Sequence, residues 1–482
     1  MSAPRSLAAL RRATAVNLGI GAGALSRALG KGGGTTVPGY LAERLDPGLL
    51  ADLARALPGG CVAVSGTNGK TTTARILADA LRLEGYEPIA NREGSNLSRG
   101  LVTALIGASD RWGRPRFTER SIGVFELDEG TLPQVVARVA PRAVVLTNLL
   151  RDQLDRYFEL DFLRHLWTTG LRLLAPSATL VVNADDPHLA HLAQELAGRA
   201  LTFGVEDPGH LRPIMEHASD ARRCPGCEHP LEYAGTFYAH LGHYACPACG
   251  WARPRPDLVA ARVELGPEWS RFQVEGADRP ALQLQVPLPG LHNVYNALAA
   301  LAGAEALGVS EGSLVAAVGS VQGAFGRAEQ LRLHGRDVVL ALAKNPSGFN
   351  ATLRWLEGAG YGSHLLLALN DAGPDGRDVS WIWDVDFEGL PRPEQVTCAG
   401  TRALDLALRV EYAGLGAPTI EEDPAAALWG SLGRVPEGGR LAVVATYTAM
   451  WSLRQALVRQ GHLPEFWVEA GAPRGLAAAR GE

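Results

Sequence analysis

The sequence predicts an α/β protein of more than one domain, built around a mostly parallel sheet. Short apolar runs at Cys61–Val64, Ile122–Leu127, Ala143–Leu146 and Thr179–Val182 have the length of buried strands. Segments with apolar residues at helical spacing separate these runs, and strands that alternate with helices are typical of a doubly wound sheet. The 482 residues also exceed what one compact core usually holds, so the length favours two to four domains.

Composition and charge exclude several classes of protein. Apolar residues make up 46% of the chain and charged residues 20%, which is typical of a soluble globular protein. The net charge of −5 gives no reason to expect nucleic-acid binding. No apolar run reaches the roughly 18–20 residues that a membrane-spanning helix needs. We therefore expect a cytoplasmic protein.

The first residues resemble an export signal, but Arg11 and Arg12 interrupt the apolar stretch and a glycine-rich sequence follows. This pattern favours a short amphipathic helix and a glycine-rich loop, with a targeting segment as the alternative.

Changes in composition suggest the domain boundaries. We expect a helical or linker segment over residues 1–55, a central α/β domain over 56–330 and a second, Rossmann-like α/β domain over 331–468. Strands near Val338–Ala343, Leu365–Leu369 and Leu441–Ala445 define this second domain. Residues 220–254 interrupt the alternating pattern like an inserted module, and residues 469–482, rich in Ala, Gly and Arg, are expected to form a disordered tail.

The strongest motif runs from Ser65 to Thr72 and reads SGTNGKTT. It follows a strand and opens a helix, which is the context of a phosphate-binding loop. Its glycines allow backbone N–H groups to point at phosphate oxygens, and the helix N-terminus adds positive potential. The lysine is suited to the terminal phosphates and the first threonine to Mg²⁺. The residues predicted to bind ATP here are Gly66, Thr67, Asn68, Gly69, Lys70, Thr71 and Thr72.

Four of the six cysteines form two Cys-Pro-x-Cys pairs, Cys224 with Cys227 and Cys246 with Cys249. Two such pairs at this spacing predict a structural zinc ribbon, since four thiolates complete a tetrahedron and leave no open position for catalysis. A disulfide pair or a redox site is the alternative. Cys61 and Cys398 are predicted to be core residues. His240 and His243 lie between the pairs and are not counted as ligands.

Further motifs occur in the order of the Mur ligase family, which the chain resembles. They are Gly66–Thr72, Phe125–Glu129, Thr147–Asp155, Asn183–Pro187, Gly290–Asn296 and Gly326–Glu329. The resemblance implies an ATP-dependent ligase in which Glu126 and Thr71 hold Mg²⁺ and Arg327 stabilises the transferring phosphoryl group. It also implies that Asn183, Asp185, Asn293 and Asn296 lie at the nucleotide.

Each of these assignments has a structural alternative. Glu126 could be a solvated carboxylate at the end of a strand. Asn293 and Asn296 could cap a helix, and Arg327 could be a surface residue without a role in the reaction. The chain also departs from the family: Gln153 stands where the family has a histidine, and the region before Gly60 is short for a domain that binds a UDP-linked substrate.

The C-terminal half resembles one branch of the family, the MurT type. The matching segments are Ala343–Asn350, Leu369–Asp371, Asp375–Glu388, Gly400–Arg402 and Thr446–Met450. The resemblance implies a heterodimer with a GatD-type glutaminase subunit and amidation of lipid II at the inner face of the membrane. It further implies that Asp378 completes the Cys-His pair of that glutaminase. The alternative is an ordinary acidic loop, whose acids pair with Arg377 or cap a helix.

Two other functions fit the same residues. A self-sufficient ligase of the folylpolyglutamate synthase kind would add an amino acid and gain nothing from a glutaminase. A zinc-ribbon ATPase that binds nucleic acid or acts as a scaffold would bind ATP without activating a carboxylate. The acidic net charge disfavours the latter.

Overall fold

We describe the protein from a computed structural model. It describes residues 3–28, 36–91, 94–110, 112–152, 160–196, 199–277, 279–321 and 328–464. Arg327, Gln153 and the tail predicted over 469–482 lie outside these residues.

The helices of the described residues are numbered in chain order. They are α1 Ala3–Ala28, α2 Val37–Leu45, α3 Leu49–Arg55, α4 Lys70–Leu83, α5 Ser98–Gly107, α6 Leu132–Val139, α7 Leu160–Leu171, α8 Pro187–Glu195, α9 Leu291–Ala306, α10 Glu311–Ser320, α11 Pro346–Gly358, α12 Ala403–Tyr412, α13 Pro424–Arg434 and α14 Tyr447–Arg459. Two 3₁₀ helices cover Ser380–Asp384 and Phe387–Gly389. None of the helices in this part of the chain combines the length and apolarity needed to cross a membrane.

The strands are β1 Cys61–Ser65, β2 Glu87–Ala90, β3 Ser121–Glu126, β4 Ala143–Leu146, β5 Thr179–Asn183, β6 Arg199–Val205, β7 Glu232–Tyr238, β8 Leu241–Ala245, β9 Leu258–Leu265, β10 Ser270–Gly276, β11 Arg279–Val286, β12 Glu329–Leu333, β13 Arg336–Leu342, β14 His364–Ala368, β15 Gln395–Ala399, β16 Thr419–Glu421 and β17 Arg440–Ala445. They confirm the predicted α/β fold.

The larger sheet has nine strands among the described residues, in the order β11-β10-β9-β6-β5-β4-β1-β3-β2. The strands from β9 to β2 are parallel, and β10 and β11 extend the sheet antiparallel. Strand β1 lies inside this sheet and reads as a continuous apolar run because both of its faces are covered. Val62 and Val64 join the core on one face, whereas Cys61 and Ala63 join the core on the other. The carboxyl end of β1 therefore opens onto the predicted phosphate loop.

The smaller sheet has the order β12-β13-β17-β14-β15-β16. Strands β13, β17, β14, β15 and β16 are parallel, and β12 pairs with β13 as an antiparallel edge. Strand β14, which precedes the acidic segment Asp375–Glu388, is buried along its whole length. The ends of β14 and β15 therefore present their loops on one edge of this sheet.

The described residues divide into two compact units, each with one of these sheets. The first holds the chain up to Val321 together with Asn345–Trp355 and Asp384–Asp386, and the second holds most of the remainder. The start of α11 belongs to the first unit, although it lies within the range predicted for the second domain. The domain boundaries inferred from the sequence remain predictions.

The N-terminal segment differs from its prediction. A short helix followed by a glycine-rich loop is wrong, because α1 continues to Ala28 through the glycines. Gly19 is buried against α2, and a Cβ atom there would lie 2.7 Å from the Pro38 carbonyl oxygen. The absence of a side chain at Gly19 thus allows two helices to pack closely rather than forming a loop.

Candidate active site

The loop between β1 and α4 has a backbone that requires glycine. Gly66 has a φ of +133° and Gly69 a φ of +88°, values that side-chain-bearing residues rarely adopt. A Cβ atom at Gly66 would lie 2.1 Å from Thr147 Oγ1, and one at Gly69 would lie 1.9 Å from Asn296 Oδ1. The following helix begins at Lys70, so its free N–H groups face the loop. The predicted phosphate loop therefore has the expected shape.

The residues after β4 brace this loop. Asn68 N donates to Asn148 Oδ1 over 2.9 Å, and Thr147 Oγ1 donates to Asn68 O over 2.7 Å. Thr67 Oγ1 donates to Leu150 O over 2.8 Å and accepts from Leu150 N over 2.9 Å. These four hydrogen bonds hold the backbone of the loop in place. A backbone held in this way needs little reorganisation to bind a ligand.

Lys70 is buried at the mouth of the loop. Its Nζ donates to Thr67 O over 3.1 Å and to Gly66 O, and it forms an ion pair with Glu129 Oε1 at 3.2 Å. Only 6% of Lys70 and 4% of Glu129 is exposed, so this charge is compensated by a carboxylate of the same chain. A phosphate group that bound Lys70 would have to share the ammonium group with Glu129 or displace the Glu129 carboxylate from it.

The two residues predicted to hold Mg²⁺ lie together. Thr71 Oγ1 donates to Glu126 Oε1 over 3.1 Å, and Glu126 ends β3, the neighbour of β1. Glu126 is only 8% exposed, so the alternative of a solvated carboxylate does not describe it. A hydroxyl and a carboxylate oxygen at this spacing are hard ligands of the kind that Mg²⁺ prefers.

Asn293 and Asn296 lie in the first turns of α9, and Asn296 is the residue that lies against Gly69. Asn296 Nδ2 donates to Asn293 Oδ1 over 3.1 Å, and Asn293 Nδ2 donates to Pro289 O over 2.7 Å. The N-cap of α9 is Gly290, and no side chain caps it. Helix capping is therefore not the role of either asparagine, and their contact with ATP remains a prediction.

Asn183 and Asp185 have partners within the protein. Asn183 Nδ2 donates to Thr147 O over 3.1 Å, so it supports the residues that brace the loop. Asp185 is fully buried, pairs with Arg253 Nε at 2.6 Å and accepts from Tyr295 OH at 2.6 Å. These contacts favour a structural role for Asp185, whose predicted contact with ATP has no support in this geometry. Thr72 is buried in the first turn of α4.

Sequence reasoning did not find the partners of the Asn68 side chain. Its Nδ2 donates to Tyr238 OH over 2.9 Å and to Ser347 Oγ over 3.1 Å, and its Oδ1 accepts from Asn345 Nδ2 over 3.0 Å. Burial raises the pKa of Tyr238 to about 12, so its hydroxyl stays protonated. No local signal at Tyr238 points to the loop, because it lies at the end of β7 in the inserted module.

The four cysteines of the inserted module converge. All four sulfur atoms lie within 4.8 Å of one another, with Cys224 Sγ and Cys249 Sγ 3.7 Å apart and Cys227 Sγ and Cys246 Sγ 3.5 Å apart. A tetrahedron with Zn–S bonds of about 2.3 Å has sulfur separations of roughly 3.8 Å, so the cysteines fit zinc. His240 and His243 are not in this group, as predicted: they lie near Asp186 and Glu206 respectively.

Cys61 and Cys398 are buried, which confirms them as core residues. Burial raises the pKa of each thiol to about 12. Neither is therefore a thiolate at neutral pH, and neither has the character of a nucleophile.

Asp378 lies in the second unit, on the loop that follows β14. Its Oδ1 accepts from Ser380 N over 2.8 Å at the start of a 3₁₀ helix, and the side chain is exposed. The hydrogen bonds from Ser380 hold its pKa below the ordinary value, so it is ionised at neutral pH. One oxygen of Asp378 therefore caps the 3₁₀ helix, as the alternative interpretation predicted. The carboxylate is exposed and can accept further hydrogen bonds.

Apolar side chains are exposed in the same unit. Leu404, Leu408 and Tyr412 follow one stripe of α12 and are 65%, 48% and 72% exposed. Trp383, five residues after Asp378, is 45% exposed and its ring centroid lies 5.5 Å from that of Tyr412. We call these four residues the α12 surface. Aromatic side chains such as Trp383 and Tyr412 are enriched at protein interfaces.

Comparison with known proteins gives matches over most of the chain. The Mur ligase middle domain matches residues 64–223, and the MurT ligase C-terminal model matches residues 342–450. The MurT subunit of lipid II isoglutaminyl synthase (glutamine-hydrolyzing) from Staphylococcus aureus (strain COL) is 33% identical over 421 residues, which cover 86% of this chain and 90% of that protein. The corresponding subunit from Streptococcus pneumoniae (strain ATCC BAA-255 / R6) is 31% identical over 429 residues, or 88% and 93% of the two chains. Among solved structures, a pseudomurein peptide ligase type C from Methanothermus fervidus matches with a TM-score of 0.63 and 20% identity, covering 83% of this chain and 78% of that one, which shows a shared fold.

Proposed function

The chain belongs to the MurT family of Mur ligases, and from that membership we propose that it amidates the α-carboxylate of D-glutamate in the stem peptide of lipid II. It is an ATP-dependent ligase, and the reaction belongs to peptidoglycan synthesis. The single observation that carries the chemistry is the buried loop with Lys70, Thr71 and Glu126 gathered at its mouth. The site of action is the inner face of the membrane.

The proposed reaction activates the carboxylate before nitrogen arrives. An oxygen of the α-carboxylate attacks the terminal phosphorus of ATP, and ADP leaves. Ammonia then attacks the acyl carbon, the C–O bond to phosphate breaks, and ammonia loses a proton as the amide forms. D-Isoglutamine, ADP and phosphate result. Activation is needed because a carboxylate and ammonia do not condense unaided at neutral pH, and a closed site protects the acyl phosphate from water.

The roles of the residues follow from their chemistry. Lys70 neutralises the terminal phosphates, and Thr71 with Glu126 would hold Mg²⁺. The ion supplies charge neutralisation between the phosphates when bound. Arg327 is proposed to stabilise the phosphoryl group in transfer. The backbone N–H groups of the loop and of the first turn of α4 orient the phosphates.

Glutamine use is proposed to require a second subunit, a glutaminase of the GatD type. Cys61 and Cys398 are buried thiols, and the other four cysteines form the predicted zinc site. The described residues therefore supply no reactive Cys-His pair for glutamine hydrolysis. Asp378 is proposed to orient the histidine of the partner and stabilise its protonated form, as the carboxylate of a catalytic triad does.

The α12 surface supports the partner proposal. It lies in the same unit as Asp378, and Trp383 belongs to the 3₁₀ helix that Asp378 caps. Exposed Trp and Tyr side chains are enriched at protein interfaces because they bury a large area at little entropic cost. We propose that the α12 surface contacts the glutaminase.

The cysteine cluster is proposed to hold a structural zinc ion. Each knuckle is a closed turn: Glu228 N donates to Cys224 O over 2.9 Å, and Gly250 N donates to Cys246 O over 3.0 Å. The ribbon carries Tyr238, which supports Asn68 of the phosphate loop. Zinc would thus stabilise the loop indirectly, without contacting substrate.

An isotope experiment tests the proposed function. Lipid II labelled with ¹⁸O in both oxygens of the α-carboxylate is incubated with ATP, Mg²⁺, ammonium and the purified protein, and the phosphate is analysed by mass spectrometry. We expect one ¹⁸O per phosphate released and one amide per ATP consumed. Amide formation without label in phosphate would contradict the acyl phosphate. Incorporation of an amino acid in place of ammonia would favour a self-sufficient ligase.

A further inference from the structure

A buried carboxylate, that of Asp375, holds the loop that follows β14 against the start of α14. Asp375 Oδ1 accepts a hydrogen bond from Thr448 N over 2.9 Å, and Asp375 Oδ2 accepts one from Thr448 Oγ1. Only 2% of Asp375 is exposed, and its partner lies 73 residues further along the chain. The pair therefore joins two distant segments of the second unit, and it uses both oxygens of the carboxylate.

The N-terminus of α14 receives its charged partner from this loop. The first N–H groups of a helix have no acceptor within the helix. The N-cap residue of α14 is Thr446, but its side chain does not cap the helix. The Thr446 hydroxyl instead accepts from Asn370 N over 3.0 Å, two residues after the end of β14. Asp375 therefore supplies the carboxylate that a helix N-terminus favours.

Asn370 adds a third segment to the same network. Its Nδ2 donates to Thr448 Oγ1 over 2.9 Å, and its Oδ1 accepts from Thr401 N over 3.0 Å, two residues after β15. Thr448 Oγ1 thus accepts from Asn370 and donates to Asp375, so the hydroxyl is both an acceptor and a donor. A buried polar network whose members are satisfied in this way is rigid.

Asp378 projects from the segment that this network holds. Asp378 is exposed, whereas Gly376 before it and Val379 after it are buried. Gly376 also has a φ of +86°, so the chain turns sharply directly after Asp375. The backbone at Asp378 is therefore fixed on its N-terminal side by the buried Asp375 and on its C-terminal side by the buried Val379.

We infer that Asp375 and Thr448 are positioning residues for glutamine hydrolysis, because they hold the loop where the Asp378 carboxylate meets the histidine of the partner. Catalytic groups need to lie within about 0.5 Å of their productive position, and a triad carboxylate acts through one directed hydrogen bond. Asp375 cannot take the role of Asp378, since it is buried and both of its oxygens are occupied. The inference rests on the proposed function, which gives Asp378 its partner histidine.

Variants of the full chain, assayed with the glutaminase present, test this inference. Thr448→Val removes the hydroxyl and keeps the backbone N–H, whereas Thr448→Ser keeps both. We expect Thr448→Val to lower kcat of glutamine-dependent amidation about tenfold at saturating partner, because a misplaced catalytic group slows the chemical step. The KM for glutamine should not change, since glutamine binds in the partner. Thr448→Ser should stay within about twofold of the unmodified protein, and so should ammonium-dependent amidation by either variant.

Asp375→Asn is the second variant of the same contact. It should act in the same direction as Thr448→Val, because one amide oxygen cannot replace two carboxylate oxygens. Thr397→Val is the matched control, since it removes a buried hydroxyl that accepts from Ser431 over 2.8 Å in the same unit, outside the network. Thermal unfolding followed by circular dichroism verifies that every variant is folded.

A double variant distinguishes positioning from a general structural role. Adding Thr448→Val to Asp378→Asn should cause no further loss of glutamine-dependent amidation, because the hydroxyl acts only through Asp378. Additive losses, or equal losses in Thr448→Val and Thr397→Val, would overturn the inference. If Asp378→Asn alone lowers glutamine use and Thr448→Val does not, only the positioning inference fails. If Asp378→Asn leaves glutamine use intact, the proposed triad fails and the inference fails with it.

Discussion

Lys70 and Asp378 are the two charged residues on which the proposed chemistry depends most, and their surroundings are opposite. Lys70 is 6% exposed, has partners on the loop backbone and pairs with Glu129. Asp378 is exposed, is held by a single described residue, Ser380, and lies in a unit with an apolar surface. The difference fits the proposed division, in which the chain builds its own phosphoryl-transfer site and Asp378 is one part of a site that a second subunit completes.

Removing the Lys70 amine should have the largest effect. Lys70→Ala leaves the terminal phosphates without their cation and Glu129 without its buried partner. We expect amidation to fall about 10³-fold with either glutamine or ammonium, because both depend on the phosphoryl step. Steady-state amide formation measures it. If Lys70→Ala kept amidation with either glutamine or ammonium, Lys70 would not serve a phosphoryl step that both reactions share.

Glu126 should matter somewhat less than Lys70. Glu126→Gln keeps the size of the side chain but removes the charge that the Mg²⁺ site needs, so we expect roughly a 10²-fold loss. The loss should be partly recovered at high Mg²⁺ concentration, which a titration of activity against Mg²⁺ measures. Glu87→Gln, at an exposed position of β2, is the control. Unchanged Mg²⁺ dependence would remove Glu126 from the metal site.

Substitutions on the α12 surface test the part of the molecule that is proposed to bind the glutaminase. Leu404→Glu combined with Leu408→Glu should weaken binding of the glutaminase at least about tenfold. The complex would bury the two leucines, and the substitutions would place two carboxylates in that interface. Glutamine-dependent amidation should fall accordingly at limiting partner concentration, and ammonium-dependent amidation should stay. Isothermal titration with the partner measures the affinity, with Leu83→Glu as the control. Undiminished affinity would place the interface elsewhere.

The zinc ribbon should have the smallest effect on chemistry. Cys246→Ser should lose about one zinc per chain and lower the melting temperature by several degrees, about 5 °C, because the metal stabilises the fold around it. Cys398→Ala, which removes a buried thiol outside the cluster, should keep the zinc. Elemental analysis and calorimetry measure both. A zinc content that does not respond to Cys246→Ser would exclude the cluster as the site.

The sequence predicted the elements that are local in the chain. Strand β1, the loop from Gly66 to Gly69 and the start of α4 follow one another within ten residues, so glycines and apolar runs suffice to recognise them. Several strands were not predicted, among them β6 and β9 to β12. Strands β2 and β16 were missed because they are short, lie at sheet edges and are largely exposed. Edge strands lack the continuous apolar run that marks a buried parallel strand.

Partners within the site could not be predicted in the same way. Glu129 lies 59 residues from Lys70, and Tyr238 lies 170 residues from Asn68. Their contacts depend on how distant segments pack, which no local pattern encodes. The glycines of α1 show the reverse case: they read as a loop, yet Gly19 supports a close helix contact that only tertiary structure reveals.

The ratio of glutamine-dependent to ammonium-dependent amidation in Asp378→Asn tests the division between the two sites most directly. Asparagine preserves the size of the side chain and its acceptor for Ser380 N, but cannot stabilise a protonated histidine. With the glutaminase present, we predict that glutamine-dependent amidation falls at least about a hundredfold and that ammonium-dependent amidation stays within about twofold of the unmodified protein. An unchanged ratio would contradict the account.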